Sequence, residues 1–440
     1  MQDELKAQVF KTIDQDLDYL TGLVQDLVRI PSVNPKFEIG EGLNRETDVQ
    51  LRLQPELDRL GFKTDFQEVF PHRPNLIGCR DGNPERSLIL NGHIDVVPIG
   101  EASAWTVNPF GGDLSNGKIY GRGSVDMKGG VAAAVAAVRA INVNDIELDG
   151  ALDFHSVVDE EAGGFGAVAA AQEKRRASAV IVAEPTWGTI LPAEGGLEWV
   201  RVTIQGRAGH AGWRFNEIFP QRDTPERLVP AVNAIELGTR FLSALADFER
   251  DRTRRLHHPL TPPGLNTINP GAVHGGVGIG ENGLPITVSN PAMIPDTFVV
   301  DLDYKFLPNE QSSDVRAEFE AFVDAFARTD SWLRDHPPKI EWDLYGLHFP
   351  AMNTPVGHPI IKALENSLHQ LGEAPEMKAF EAVCDAAHYA GAGMDSVIYG
   401  PSGDGFHSVD EYVTVESLAL TAKAIAGTII EYCGVRKSTN

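Results

Sequence analysis

The sequence is poor in cysteine and in positive charge, and it contains no long apolar run. Its three cysteines (Cys79, Cys384 and Cys433) are scattered and show no C-x-x-C spacing, so a reducing cytoplasm is expected rather than a disulfide framework. Lys and Arg number 38 against 62 Asp and Glu, and the resulting net charge of −24 opposes binding to nucleic acid or to anionic membranes. No apolar run reaches the length that spans a bilayer.

Length and composition indicate an ordinary globular protein with two domains. A chain of 440 residues exceeds the size at which one hydrophobic core usually keeps growing. Apolar residues make up 42% of the chain and charged residues 23%, a composition that argues against extensive disorder. Residues 1–20 alternate charged and apolar positions like an amphipathic helix, and they lack the basic start and apolar block of a signal peptide.

Strand-forming and helix-forming stretches alternate along the first half of the chain. Strands are predicted at 63–66, 75–79, 88–90, 152–158 and 179–183, and helices at 5–30, 44–60, 130–141 and 165–177. This alternation predicts an α/β fold with a mixed, mostly parallel sheet flanked by helices. In such sheets ligands gather at the carboxyl ends of the strands, and the polar residues considered next follow strands.

The stretch LILNGHIDVVP, followed by YGRGSVDMKGG, has the pattern of a metal site. It places His93 and Asp95 at the end of a strand and Asp126 just before a helix. Imidazole nitrogen and carboxylate oxygen are donors that suit a zinc-type cation. Asp95 lies on the same side of an extended segment as His93 and can accept its free ring N–H. The alternative is a buried histidine that is merely satisfied by a turn aspartate.

Three further positions carry candidate site residues. Glu160 and Glu161 leave a strand in different directions, so one can bind a metal while the other stays free as a general base. An exposed acidic loop is the alternative for this pair. Glu184 follows a buried strand and is equally consistent with a simple turn residue. His407 lies in a glycine-rich loop before the last helix, where a flexible backbone can present the ring to a cation.

In order and context, these motifs resemble those of the M20 metallopeptidase family, the group of acetylornithine deacetylase and succinyl-diaminopimelate desuccinylase. The motifs that carry the resemblance are His93-x-Asp95, GRGSVDMKGG around Asp126, Asp159–Glu160–Glu161, Ala183–Glu184–Pro185 and His407 before Glu411. The resemblance covers nearly the whole chain. Five motifs in the same order are far more specific than any one of them alone.

The resemblance implies two divalent metal ions, with zinc preferred and cobalt or manganese as alternatives. Asp126 and a water or hydroxide would bridge the two ions. One ion would also take His93 and Glu184, and the other would take Glu161 and His407. Two such ions lower the pKa of a shared water and polarise the carbonyl group that is attacked.

The resemblance also implies the reaction, with Glu160 as general acid/base and Asp95 as a catalytic residue that orients His93. The expected activity is hydrolysis of an amide bond in an N-acyl amino acid or a related small amide. Some family members carry aspartate at the position of Glu184. With glutamate there, this sequence resembles the deacylases more than it resembles those members. Cleavage of a small peptide, by a dipeptidase or carboxypeptidase, is the alternative.

From about residue 196 the pattern changes to an alternating strand, then helices and further strands that predict an α+β layer. In the family this insert is the lid and dimerisation domain. We therefore expect a catalytic domain of residues 1–195 and 352–440, an inserted domain of residues 196–351, and a homodimer formed through that insert.

Two residues of the insert are candidates for the site. His210, flanked by glycines, matches the family histidine that crosses to the partner's active site and stabilises the oxyanion; an exposed turn histidine is the alternative. Lys305 stands where family members often carry an arginine that grips the substrate carboxylate, and lysine lacks the bidentate fork of arginine. Residues 213–228 look long and aromatic, and we expect them to shape specificity.

Two other functional classes are alternatives to a hydrolase. The glycines of Gly121-x-Gly123 suggest a nucleotide-binding turn, but Asp126 holds the place of the third glycine and would repel a pyrophosphate. A non-catalytic binding protein built on this fold would be expected to lose a metal ligand or the free glutamate, and neither is missing. Cys384 is expected to be a small buried residue and not a nucleophile.

Overall fold

The structure, a computed structural model, describes residues 2–172, 176–214 and 231–436. The chain forms two units, one of residues 1–194 with 352–440 and the other of residues 195–351. The first unit is thus built from two separate stretches of chain, and the second unit is a single insertion between them.

The bounds of the helices and strands are as follows. The helices are α1 Gln2–Gln15, α2 Leu17–Val28, α3 Glu46–Arg59, α4 Gly129–Val143, α5 Phe165–Ala171, α6 Ala234–Arg255, α7 Ser312–Arg328, α8 Pro359–Gln370, α9 Asp385–Gly391 and α10 Val415–Cys433. The strands are β1 Lys63–Phe70, β2 Arg73–Arg80, β3 Asn83–His93, β4 Asp113–Ser115, β5 Lys118–Tyr120, β6 Gly150–Val157, β7 Ala179–Val182, β8 Ile190–Glu194, β9 Gly196–Gln205, β10 Gly209–His210, β11 Ile268–Ile279, β12 Pro285–Thr287, β13 Met293–Ile294, β14 Thr297–Phe306, β15 Lys339–Glu341, β16 His348–Phe349, β17 Met352–Asn353, β18 Met377–Phe380, β19 Asp395–Ile398, β20 Gly403–Asp404 and β21 Tyr412–Thr414.

The first unit contains a mixed sheet with the strand order β1-β2-β6-β3-β7-β19-β8-β17, and β18 also pairs with β8. The central run β6-β3-β7-β19 is parallel, whereas β1, β2 and β6 pair antiparallel at one end. The short connection between β1 and β2 enforces the antiparallel pairing of those two strands, because strands joined by a tight turn run antiparallel. The predicted α/β class is confirmed, and its parallel pairs are concentrated at the centre of the sheet.

Helices cover both faces of this sheet. Along β3, Leu88 and Leu90 pack in a core with α4 and α10, whereas Ile89 packs in a second core with α5 and α9. Because successive side chains of a strand point to opposite faces, a strand that is buried on both faces appears in the sequence as a continuous apolar run. A smaller sheet with the order β20-β21-β5-β4 completes the unit.

The second unit is an antiparallel sheet with helices packed on it. Its strand order is β12-β11-β14-β9-β15, and β16 also pairs with β9. Alternate residues of β9, Val200, Val202 and Ile204, share a core with Phe241 of α6 and Phe319 of α7. This is the α+β layer that the sequence predicts. No helix among the described residues of either unit is long and apolar enough to cross a membrane.

A glycine at the start of α4 allows that helix to pack directly on the end of β7. A Cβ added at Gly130 would lie 2.0 Å from the carbonyl oxygen of Ala183, which is backbone that cannot move aside cheaply. Ala183 directly precedes Glu184, so this contact also supports one of the candidate site residues.

We predict that Gly130→Ala lowers the free energy of unfolding by about 1–3 kcal/mol, because it overpacks a close backbone contact. The matched control is Gly22→Ala in α2, where an added Cβ would meet nothing within 4 Å. That change is expected to raise stability by about 0.5–1 kcal/mol, the usual gain for alanine over glycine within a helix. Urea unfolding midpoints of both variants measure the difference, and similar shifts in the two would contradict the close packing at Gly130.

Candidate metal centre

The first candidate ligand group surrounds His93, the last residue of β3. The ring Nε2 of His93 lies 3.2 Å from Asp126 Oδ1 and 3.5 Å from Glu184 Oε1. Glu184 comes two residues after β7, the parallel neighbour of β3. The carboxyl ends of parallel strands meet at one edge of a sheet, which is why residues 91 positions apart in the chain lie together.

The second group surrounds His407 and shares Asp126 with the first. The ring Nε2 of His407 lies 3.2 Å from Asp126 Oδ2 and 3.0 Å from Glu161 Oε2. Asp126 therefore directs one carboxylate oxygen to each histidine. The structure brings together all five residues that the sequence suggested as ligands.

The donor atoms of each group fit a divalent cation. Each group offers one imidazole nitrogen and two carboxylate oxygens within 4.8 Å of one another, a donor set that suits zinc and, with less selectivity, cobalt or manganese. A third such group, Glu198, Asp343 and His348, lies in the second unit. There Arg316 already donates to both carboxylates, so that group has its counter-charge.

The pKa values of these groups reflect burial of the carboxylates and their contacts with the two histidines. Burial raises the pKa of Glu161 to about 7, and the negative charge of Asp126 adds to the shift. Hydrogen bonds to Asp126 and Glu161 raise the pKa of His407 to about 10. Burial opposes ionisation of Asp126, but its hydrogen bonds with His407 and His93 lower its pKa overall. The carboxylates thus require nearby positive charge, which a divalent cation supplies in place of protons.

Glu160 lies beside the first ligand group but belongs to neither of the two groups. Its Oε2 is 3.9 Å from His93 Nε2, too far for a hydrogen bond. Burial raises the pKa of the Glu160 carboxyl well above its usual range, while the positive charge of His93 opposes the shift and the negative charge of Glu184 adds to it. A carboxylate whose pKa is raised is a stronger base than a solvated one, which suits general acid/base chemistry.

Asp95 supports the site differently from the sequence-based expectation. The nearest partner of the His93 Nδ1 is the backbone carbonyl of Asp95, at 3.0 Å, and the Asp95 carboxylate is 3.6 Å away. That carboxylate instead accepts the backbone N–H groups of Glu160, at 3.1 Å, and Glu161, at 3.3 Å. Spacing alone puts Asp95 on the correct side of the strand but does not say which of its oxygens faces the ring.

Asn34 is a site residue that sequence reasoning missed. Its amide donates to Asp95 Oδ2 at 2.8 Å and to Asp159 Oδ1 at 3.1 Å. Asp159 has a φ of 69° and also accepts hydrogen bonds from Lys36 Nζ and Arg73 Nη2. Asn34 thereby joins the carboxylate beside His93 to the turn that carries Glu160. No local signal marks it, because its partners lie 61 and 125 residues away in the chain.

Glu411 holds the loop that carries Asp126. Its buried carboxylate accepts the backbone N–H groups of Gly123, Val125 and Asp126 at 3.0–3.2 Å, and Arg122 Nη1 donates to it at 2.6 Å. The sequence drew attention to Glu411 only as a residue after His407. These N–H groups are the ones that a bound phosphate would need, so the nucleotide-binding alternative has no free donors at this turn.

Cys384 lies at the N-terminus of α9 and is 1% exposed. Its Sγ donates to Glu194 Oε2 at 3.2 Å. Burial raises the pKa of the Cys384 thiol well above its usual range, and the charge of Glu194 adds to that effect. A thiol that stays protonated is not a nucleophile.

His210 and Lys305 both belong to the second unit. His210 is exposed at the end of β10, and its Nδ1 accepts the backbone N–H of Gly212 at 3.0 Å. Lys305 is half-buried in β14, and its backbone N–H donates to the carbonyl of Thr267 at 2.8 Å. Of residues 213–228, only 213 and 214 lie within the described part of the chain.

We predict that Asn34→Ala weakens zinc binding by about 10- to 100-fold, the usual cost of losing a residue that supports metal ligands. The change leaves the buried carboxylates of Asp95 and Asp159 short of a donor and frees the turn that carries Glu161. Asn44→Ala is the matched control, because the Asn44 amide donates only to the backbone carbonyls of Val33 and Glu38. Competition with a zinc chelator measures the affinities, and equal affinities in the two variants would exclude this role for Asn34.

Comparisons with known proteins identify the family of this chain. Residues 89–431 match the family model described as Peptidase family M20/M25/M40. The chain is 32% identical to N-formyl-4-amino-5-aminomethyl-2-methylpyrimidine deformylase of Bacillus subtilis (strain 168), over 97% of each chain. It is 30% identical to succinyl-diaminopimelate desuccinylase of Caulobacter sp. (strain K31), over 93% of this chain and 95% of that one.

Solved structures show the same fold. The crystal structure of aminopeptidase PepT from Bacillus cereus ATCC 10987 superimposes with a TM-score of 0.70 at 20% identity, covering 94% of this chain and 98% of that one. The family match extends over most of the chain, and two relatives match it nearly end to end. The chain therefore belongs to peptidase family M20/M25/M40 and is a hydrolase of amide C–N bonds.

Proposed function

We propose that this hydrolase removes a formyl group, or another short acyl group, from a small amine with the help of two divalent metal ions. The observation that carries the proposal is the pair of ligand groups that share Asp126, with the Glu160 carboxyl beside them but outside both. Other residues supply the ligands of both groups. The Glu160 carboxyl is therefore available to transfer a proton.

In this proposal one ion is held by His93, Asp126 and Glu184, and the other by Asp126, Glu161 and His407. Zinc is the preferred ion, with cobalt or manganese as alternatives. Bound cations at such a pair of sites lower the pKa of water and polarise the carbonyl group of the substrate.

Glu160 moves the proton. Its carboxylate takes a proton from the attacking water, whose oxygen bonds to the acyl carbon, and then gives that proton to the amine nitrogen as the C–N bond breaks. Asp95 holds the backbone of Glu160 and Glu161 and orients His93 through its carbonyl. The raised pKa of Glu160 favours the second step, in which the carboxyl acts as an acid.

The lysine at position 305 affects which amide substrate is preferred. An arginine would bind a substrate carboxylate through two parallel hydrogen bonds, whereas lysine offers a single flexible charge. This favours a substrate without a carboxylate, such as the N-formyl aminomethylpyrimidine that names the Bacillus relative. The second candidate is an N-succinyl or other N-acyl amino acid, as in the Caulobacter relative, and Lys305 would then bind the carboxylate.

We further propose that the protein works as a cytoplasmic homodimer joined through its second unit. Ile286 and Val288, in and directly after the edge strand β12, are 69% and 66% exposed, and Ile279 of the neighbouring β11 is 44% exposed. Apolar side chains gathered at a sheet edge are typical of a surface that another chain covers. None of the three cysteines forms a disulfide, which suits a reducing compartment.

The substrate proposal predicts a clear order of rates. Zinc-loaded protein is expected to hydrolyse N-formyl-4-amino-5-aminomethyl-2-methylpyrimidine with a kcat/KM at least about tenfold above that for N-succinyl-diaminopimelate, a difference of about 1.4 kcal/mol in transition-state binding. Lys305→Ala should leave the formamide reaction nearly unchanged. A preference for the succinyl substrate that is lost through KM in Lys305→Ala would support the second candidate instead.

Glu160→Gln is the control that ties turnover to the proposed site. It should retain the bound metal while kcat falls by at least about 100-fold, the usual contribution of a general acid/base. Glu161→Gln, a change of the adjacent carboxylate, should lose metal as well as activity. Nearly full activity in Glu160→Gln would overturn the assignment of the proton carrier.

The dimer proposal predicts complementation between two inactive variants. His210→Ala should lower kcat by about 100- to 1,000-fold, because an oxyanion donor is lost. Mixing it with Glu160→Gln under subunit exchange should restore about a quarter of the sites, since half of the dimers are hybrids and one site of each hybrid has both good residues. If hybrids form and remain inactive, His210 does not act on the partner's site.

A further inference from the structure

Two aromatic side chains are close neighbours, in the chain, of candidate metal ligands. Trp187 comes three residues after Glu184, and Phe406 directly precedes His407. Their ring centroids lie 4.8 Å apart at an angle of 49°. One ring is therefore attached to each of the two loops that carry the ligands of the separate groups.

Trp187 is unusually exposed and unusually well fixed. It is 58% exposed, although tryptophan is on average a highly buried residue. Its φ of 52° lies in the left-handed region, where a bulky residue is uncommon and is kept only when its surroundings hold it. Its indole Nε1–H donates to the carbonyl of Gly403 at 3.1 Å. The indole is thus held in one orientation with much of its surface in solvent.

The surroundings of this pair limit what it can bind. His407 is 55% exposed, so the candidate metal centre is open to solvent at the residue that directly follows Phe406. Along that loop Phe406 is followed by His407 and is preceded, two residues earlier, by the exposed Asp404. The pair itself offers uncharged ring faces, which suit a flat neutral or cationic ring.

We propose that Trp187 and Phe406 form an aromatic platform that binds the flat aromatic ring of the substrate's amine. This inference rests on the proposed amidase function and names the class of leaving group, a neutral or cationic aromatic methylamine. The faces of aromatic rings attract other π-systems beyond the effect of area alone, and such stacking does not require a particular pattern of hydrogen bonds.

Two formamides with the same scissile bond and carbon skeleton test the platform. N-formylbenzylamine carries an aromatic ring, and N-formyl(cyclohexylmethyl)amine carries a saturated one. Wild-type protein loaded with zinc is expected to favour the benzyl compound by at least about tenfold in kcat/KM. Trp187→Leu should reduce this ratio to about one to two, whereas Trp187→Phe, the matched control, should retain most of it.

A positioning role for Trp187 would give a different result. If the indole only holds the loop of His407 through Gly403, Trp187→Leu will lower kcat/KM for both formamides by the same factor and reduce the zinc content. An unchanged preference for the benzyl compound in Trp187→Leu would also overturn the platform.

A binding measurement separates this inference from the proposed reaction. Titration with 4-amino-5-aminomethyl-2-methylpyrimidine, the free amine, should quench tryptophan fluorescence in the wild type and should quench it less in Trp187→Phe. Quenching that is equal in both proteins contradicts the platform. If the difference in quenching is present but neither formamide is hydrolysed, the platform stands and the proposed deformylation fails.

Discussion

The crowding of negative charge at the carboxyl ends of β3, β6 and β7 is the constraint on which the rest of this structure depends. The carboxylates of Asp126 and Glu184 lie within 3.5 Å of His93 Nε2. Those of Asp126 and Glu161 lie within 3.5 Å of His407 Nε2. The Glu160 carboxyl lies close to His93. Buried carboxylates repel one another and lose their hydration, so they stay ionised only where positive charge or N–H groups face them. The fold meets this requirement by separating supporting carboxylates from ligand carboxylates.

The supporting carboxylates are satisfied by the protein itself. Asp159 faces Lys36 and Arg73, Glu411 faces Arg122 and three backbone N–H groups, and Asp95 faces Asn34 and two N–H groups. Among the residues that the structure describes, the ligand carboxylates face the two histidines. The protein thus supplies counter-charge or N–H donors to these three supporting carboxylates, whereas the ligand carboxylates face histidine rings at the position where cations are proposed to bind.

The features of this centre that are encoded locally could be predicted from the sequence. His93, Glu160, Glu161 and Glu184 follow buried strands, and the polar residue at a strand end is visible in the sequence. The parallel centre of the sheet then explains why these residues meet, because neighbouring parallel strands end at the same edge. The antiparallel pairing of β1, β2 and β6 was not specified by the alternation of strands and helices.

The residues that were missed act over long distances. Asn34, Arg73 and Lys36 appear in the sequence as ordinary polar residues, and only the folded chain brings them to Asp159. Gly121 belongs to the glycine pair for which Asp126 argued against a phosphate-binding turn, and its φ of 141° and an added Cβ only 2.5 Å from Val28 point to tight packing. A glycine indicates a close approach both in a phosphate-binding turn and in tight packing. The sequence alone does not reveal which group approaches it.

Separate roles for Glu160 and Glu161 follow from the way their turn is anchored. Both backbone N–H groups donate to the one carboxylate of Asp95, so the turn is fixed by its main chain and neither side chain is needed to hold it. Glu161 Oε2 is then free to approach His407, while Glu160 Oε2 approaches His93 without reaching hydrogen-bond distance. Adjacent residues can thus divide metal binding and proton transfer between them, because the backbone, and not either side chain, maintains the turn.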